Sequence, residues 1–243
     1  MKLRRDTIVF LLVYALATVG CIMGKTHGWH ALEYACKPAL MISLGIWFFV
    51  RSRRYGDRFT LLVQAGLFFS LLGDAVLMLD HVDGFFFLIG LAAFALAHLC
   101  YTVAFAQNIF EAEGTDGLAV GSALAVVFLL AGLFVANYLS RRLDQDMIVP
   151  VLVYAGAITL MAIAAAFRYQ RTFARSFGMV MLGALLFMIS DTLLAHDRFV
   201  SPGTVHPAFV IMPYVAAQLL IASGCLAHIL DPDSIRKKAV LDT

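Results

Sequence analysis

The chain has 243 residues, 62% of them hydrophobic, and a mean hydropathy of +0.87. A soluble domain of this length is about half apolar, so the composition excludes an ordinary water-soluble fold. Charged residues make up only 14%, the formal net charge is +2, and the basic residues are scattered among short polar segments. That pattern gives no footprint for nucleic acid and fits a chain threading a bilayer.

Eight apolar runs are each long enough to span, given that a span needs about 20 residues. In chain order they lie near 7–24, 31–50, 60–79, 84–107, 117–139, 147–169, 173–195 and 205–230. The runs are continuous and lack the alternation of a barrel strand, so helices are the expected form. The fold class is an all-α membrane protein, with residues 1–243 forming a single integral membrane domain. The first run follows Lys2, Arg4 and Arg5 and ends near Thr18-Val19-Gly20-Cys21. It lacks an Ala-x-Ala site, and Thr18 stands where a lipoprotein box prefers Leu or Val, so it is taken as the first membrane helix. Cys21, Cys36, Cys100 and Cys225 all fall in apolar runs without a CxxC pair and are taken as small buried hydrophobes.

Lysine and arginine set the orientation. With the N-terminus inside, the inner segments hold Lys2, Arg4, Arg5, Arg51, Arg53, Arg54, Arg58, Arg168, Arg171, Arg175, Arg236, Lys237 and Lys238. The outer loops hold only Lys25, Arg141, Arg142 and Arg198. This bias places both termini in the cytoplasm, in the inner membrane if the source is bacterial. One inner loop, with Glu111, Glu113 and Asp116, has no basic residue, but acidic residues count for little in this rule.

The two halves echo one another. Leu72-Gly73-Asp74-Ala75-Val76-Leu77 in the third span matches Ile189-Ser190-Asp191-Thr192-Leu193-Leu194 in the seventh, 117 positions later. Both spans run in the same direction, which predicts a parallel 4 + 4 internal repeat. A charge at the bilayer centre costs about 2.5–3.5 kcal/mol on insertion scales, so each aspartate needs a reason to be there. At about 1.5 Å per residue, both are expected roughly 6–8 Å below the outer boundary, facing one another across a pseudo-twofold axis.

Other polar side chains gather in the same spans. Lys37 precedes Pro38 in the second; His98 and Tyr101 share a face with Gly90 and Phe94 in the fourth; Tyr214 and Gln218 are a turn apart in the eighth. These spans are expected to line one polar pocket. Lys37 is a candidate structural partner for either aspartate, and Tyr214 and Gln218 are equally suited to interhelical hydrogen bonds. Asp80, Asp83 and Asp197 fall at span ends and read as solvated, His196 and His206 as interfacial, and Phe85-Phe86-Phe87 as lipid-facing or packing. His98, His196 and His206 show no tight metal-ligand spacing, so no metal or other cofactor is expected. Intramembrane carboxylates in a repeated fold also suit a transporter or channel, and a histidine beside an aspartate suits a metal-dependent lipid amidase.

Lys37-Pro38, Gly73-Asp74, Gly90-x3-Phe94-x3-His98-x2-Tyr101, Ser190-Asp191 and Tyr214-x3-Gln218, in that order, resemble the YhhN-type lysoplasmalogenase family of membrane proteins. The resemblance runs from the second span to the eighth. It implies an eight-helix hydrolase that cleaves the vinyl ether of a lysophospholipid, the lysoplasmalogen, to a fatty aldehyde and glycerophosphoethanolamine or glycerophosphocholine. It further implies that Asp74 and Asp191 carry the chemistry. Vinyl ether hydrolysis needs a proton on the enol-ether carbon and then water at the resulting cation, which one carboxylic acid and one carboxylate supply. Two close carboxyls in a low dielectric resist double ionisation, so one of them is expected to hold its proton more tightly than a free carboxyl. Lys37, His98, Tyr101, Ser190, Tyr214 and Gln218 are the expected substrate-binding set. Nothing in the residues distinguishes acid from base, or fixes the oligomeric state.

Overall fold

The computed structural model describes residues 5–52, 57–111 and 115–230. The described residues form eight helices: α1 (Arg5–His27), α2 (His30–Ser52), α3 (Arg58–Leu77), α4 (Phe85–Phe110), α5 (Leu118–Ser140), α6 (Gln145–Ala166), α7 (Ala174–Phe199) and α8 (Pro207–Ile229). All eight are long and apolar enough to cross a membrane, and each coincides with one expected span to within a few residues. The chain is an integral, multi-pass membrane protein. Lys2, Arg4, Arg53, Arg54, Glu113, Arg236, Lys237 and Lys238, on which much of the orientation argument rests, lie outside the described residues.

Helix ends are set by local chemistry. Asp57 caps α3 by accepting from the Thr60 amide at 2.9 Å. Gly28 ends α1 in the left-handed region at φ 68°, which lets the Trp29 amide reach back to the Gly24 carbonyl at 2.8 Å. Pro38, Pro150 and Pro213 fall inside α2, α6 and α8, and each helix continues past them.

The bundle turns large apolar side chains outward and buries several polar ones within its apolar core. Leu12, Leu16, Leu130, Phe134, Val149 and Val153 are exposed, whereas Asp74, His98, Asn108, Arg168, Ser176, Ser190 and Gln218 are buried. This suits a lipid solvent, in which interhelical association depends on close packing and shared polar contacts. Gly66 and Gly73 let α4 lie directly on α3: a Cβ would come about 2.5 Å from the Tyr101 ring at Gly66 and from the Phe94 ring at Gly73. At Gly183, a Cβ would stand 2.8 Å from Ile221 and 3.0 Å from the Ala217 carbonyl oxygen of α8.

Two charged residues depart from expectation. Arg168, counted among the inner-loop cations, is fully buried just past the end of α6. Its Nε donates to Asn108 of α4 and one terminal nitrogen to Ser176 of α7, both at 3.0 Å, and Ser176 in turn donates to the Gly224 carbonyl of α8 at 2.8 Å. The Phe105 ring lies 5.0 Å from the guanidinium. The C-terminal ends of α4, α6 and α8 all point their partial negative charge at this end of the bundle, which suits a cation there. At the opposite end Asp80 is not simply solvated. Arg198 of α7 holds it through two hydrogen bonds, one of 2.8 Å, and lies 4.0 Å over the buried Phe87 ring. This clamp ties the α3–α4 connection to α7. Asp80→Asn is expected to cost about 1.5 kcal/mol, within the range for a charge-assisted hydrogen bond, and to lower the unfolding midpoint in detergent by about 3–6 °C. A thermal melt of the purified variant checks this.

Candidate active site

A cavity of about 770 Å³ opens at the end of the bundle that carries the α1–α2, α3–α4, α5–α6 and α7–α8 connections, where Lys25, His30, His81, Asp144 and Gly203 line its mouth. Asp74 and Asp191 line it deeper down, together with Lys37, Ser190 and Tyr214. Asp74 lies three residues before the last residue of α3, and Asp191 eight before that of α7. The expected figures were about five and four. The difference arises because α3 stops short into turns at Met78, while α7 continues an extra turn beyond its apolar run.

Asp74 is only 2% exposed and is held by two donors. Lys37 Nζ stands 3.1 Å from one carboxyl oxygen, and the Tyr214 hydroxyl donates to the other at 2.5 Å. Behind Tyr214 the contacts continue: Gln218 Nε2 donates to its hydroxyl at 3.4 Å, and Tyr101 donates to Gln218 Oε1 at 3.1 Å. Tyr101 and Gln218 are fully buried and do not line the cavity. They brace Tyr214 from behind, and Gly66 is the residue that leaves room for the Tyr101 ring.

Asp191 has different company. Its Oδ2 is hydrogen-bonded to the Tyr154 hydroxyl of α6, and His98 Nε2 stands 3.8 Å away. His98 Nε2 is itself 3.2 Å from the Tyr154 hydroxyl, its Nδ1 is 3.3 Å from Met161 Sδ, and its ring meets Phe187 edge-on at 4.6 Å. His98 is fully buried behind Tyr154 and does not line the cavity. Ser190 spends its hydroxyl on the Val210 carbonyl at 2.9 Å, which ties α7 to α8.

Tyr154 is the residue that sequence reasoning passed over, because a tyrosine in an apolar span reads as packing. A signal for it existed. Lys37 lies 37 positions ahead of Asp74, and Tyr154 lies 37 ahead of Asp191. Tyr101 and Gln218, which bond each other, are also 117 apart, the separation of the two aspartates.

Between its polar mouth and the carboxyls the cavity also has a largely apolar wall lined by Gly132 and Val135 of α5, Val151, Ala155 and Ile158 of α6, and Met188 of α7. Its volume is within the range of small-ligand sites. Among the described residues no three His, Cys, Asp or Glu side chains converge to hold a metal ion. The arrangement offers two carboxyls in one pocket: one beside an ammonium group, one beside a tyrosine hydroxyl, next to an apolar wall.

The chain is similar to known proteins. A lysoplasmalogenase TMEM86B of Homo sapiens is 36% identical over 199 residues, covering 82% of this chain and 76% of that protein. The Rattus norvegicus TMEM86B lysoplasmalogenase is 30% identical over 225 residues, covering 93% and 85%. A lysoplasmalogenase of Mycobacterium tuberculosis is 30% identical over 139 residues, covering 57% and 50%. No solved structure matches. The YhhN family model matches residues 32–225, which include both aspartates and every polar side chain of the cavity floor, and the chain belongs to the YhhN family.

Proposed function

We propose that the protein is a lysoplasmalogenase, which hydrolyses the vinyl ether of a lysoplasmalogen to a fatty aldehyde and glycerophosphoethanolamine or glycerophosphocholine. The observation that carries this reading is the pairing of Asp74 and Asp191 in one cavity that has both a polar mouth and an apolar wall suited to a hydrocarbon chain. The activity named for the relatives supports it. One carboxyl protonates the enol-ether carbon, and the other takes a proton from the water that attacks the cation. The polar mouth accommodates the glycerophosphate head, and the apolar wall of α5, α6 and α7 takes the alkenyl chain. In this reading the whole chain is one membrane domain built as a 4 + 4 repeat, with both termini cytoplasmic and the cavity mouth on the opposite face.

Purified protein in detergent is expected to release aldehyde from lysoplasmenylethanolamine and none from the saturated ether analogue, which has no double bond to protonate. Absence of aldehyde from the vinyl ether overturns the proposal. The apolar wall yields a separate expectation. Ala155→Phe crowds it, and overpacking of this kind costs about 1–3 kcal/mol, so KM for a long-chain substrate should rise about tenfold while that for a short-chain homologue changes little. Equal KM values across chain lengths would place the hydrocarbon elsewhere.

A further inference from the structure

The mouth of the cavity holds two histidines that the two-carboxyl chemistry leaves unused. His30, Tyr34 and Lys37 follow one another at turn spacing along the cavity side of α2, and His81 lies in the turn after α3. Lys37 meets Asp74 at 3.1 Å, and each of the two chain segments carries its histidine seven residues further towards the mouth. Along α2 that step is roughly 10 Å, a height that a glycerol and its phosphoester can bridge. The two imidazoles face one another there, their ring centres 6.3 Å apart and their planes 15° from parallel. The Tyr34 hydroxyl donates to the Met78 carbonyl at 3.2 Å and lies 3.4 Å from both ring nitrogens of His81. His81 Nδ1 lies 2.9 Å from the same carbonyl, so its ring is fixed from one side.

Most charged groups of the mouth are already committed, and these histidines are not. Arg198 is clamped on Asp80 by two hydrogen bonds, Lys25 stands 3.7 Å from Glu33, and Asp197 accepts from the Val205 amide at 2.9 Å. Among the described residues no carboxylate pairs with His30 or His81, and the His30 ring makes no hydrogen bond, only ring contacts with Tyr34 and His81. The spacing of the chain shows where the imbalance arises. Asp80-His81 stands 117 positions before Asp197-Arg198, the same separation as the two aspartates of the cavity floor. Arg198 holds Asp80, whereas Asp197 is turned to a backbone amide, which leaves His81 without an acid. Imidazole donates N–H bonds and takes up a proton near neutrality, so two facing imidazoles with no acid between them suit an anion that has several oxygens.

We infer that His30 and His81 form the phosphate subsite of the cavity, holding the phosphodiester of the lipid head while the ether-bearing end reaches Asp74 and Asp191, and that Tyr34 is a positioning residue that fixes His81. This inference rests on the vinyl-ether reading above for the identity of the lipid; the chemistry the pair recognises is a phosphate oxyanion. The histidines stand at the mouth and touch no reacting bond. Their hold on the phosphate is the same before and during the chemical step, so it acts on KM and leaves kcat alone. A lipid with the same chain and glycerol but no phosphate gives up these donors and keeps every contact deeper in the cavity, so the subsite is what selects a phospholipid.

The test compares lysoplasmenylethanolamine with 1-alkenylglycerol, the same vinyl ether without phosphate, using purified full-length protein. His30→Ala and His81→Ala should each raise KM for the phospholipid about tenfold, and the double variant about 10²-fold, with kcat within about threefold of wild type. KM for the 1-alkenylglycerol should change by less than about twofold in the same variants, which a general loss of fold would not allow. Tyr34→Phe should raise the phospholipid KM by a smaller factor than His81→Ala. An unchanged phospholipid KM in the double variant, or an equal rise for both substrates, overturns the subsite. Titration calorimetry with the saturated ether lysophospholipid reads the same contacts without turnover. A wild type that releases no aldehyde, yet binds this lipid about 10²-fold more tightly than the double variant does, sinks the vinyl-ether reading and leaves the subsite standing. Inorganic phosphate at millimolar concentration should leave the bound lipid in place; full displacement by it would make the pair a free-anion site and overturn the head-group assignment.

Discussion

Asp191→Asn and Asp74→Asn are each expected to lower aldehyde release by about 10³-fold or more, near the upper range for loss of a positioned acid or base. The amide keeps the shape of the carboxyl but has no proton to give to carbon and cannot take one from water. Since both groups act in one sequence, the double variant should be hardly worse than either single one, as expected of residues that act as a unit. The two variants should differ in stability. Asp191→Asn leaves the Tyr154 hydroxyl an acceptor and strands no cation at hydrogen-bond distance, so its melting temperature should stay close to that of the wild type. Asp74→Asn leaves Lys37 without its partner at 3.1 Å and should melt lower. Initial rates with purified, monodisperse protein, paired with a thermal melt of each variant, provide the check. Turnover within about tenfold of wild type in either single variant would refute a mechanism that needs both carboxyls.

The eight spans were legible because a bilayer imposes one length and one composition on every crossing, and each run carries both. Asp74 and Asp191 stood out for the same reason: a charge in a greasy helix is costly, and the sequence displays the cost directly. What surrounds them was only half legible. Lys37 and Tyr214 are polar enough to attract notice, and both contact Asp74. Tyr154 is amphipathic, and its role depends on which way one hydroxyl points, which no hydropathy pattern records. Tyr101, Gln218 and His98 were read as substrate contacts. They stand behind the cavity wall, because a helix face rich in polar groups can turn to a neighbouring helix as readily as to a pocket. Arg168 shows the converse case. A cation beside a span end reads as a loop charge, yet three converging helix C-termini and the Asn108 and Ser176 side chains draw it inside. Asp80 escaped for a different reason: its partner Arg198 lies 118 positions away in the chain.

Lys37→Met should be the most destabilising change at the site and should also abolish turnover. Asp74 is 2% exposed, and removing its cation leaves a carboxylate in a low dielectric with only the Tyr214 hydroxyl as donor. Breaking a buried pair from one side costs about 3–5 kcal/mol, which for a chain of this size lowers the melting temperature by roughly 6–20 °C. Asp74 can escape that cost by taking up a proton. The pair then no longer offers one acid and one carboxylate in their native places, and aldehyde release fails although Asp191 and Tyr154 are untouched. The double variant Lys37→Met with Asp74→Asn removes both charges together, so it should melt well above Lys37→Met alone. That recovery in a double-mutant cycle isolates the coupling between the two side chains. It should restore no activity, because the Asp74 carboxylate is absent in both variants. If the two melting losses simply add, Lys37 and Asp74 are not energetically coupled, and the charge that distinguishes Asp74 from Asp191 must come from another source. If the losses cancel while activity stays lost, Lys37 is the group whose charge sets Asp74 apart from Asp191.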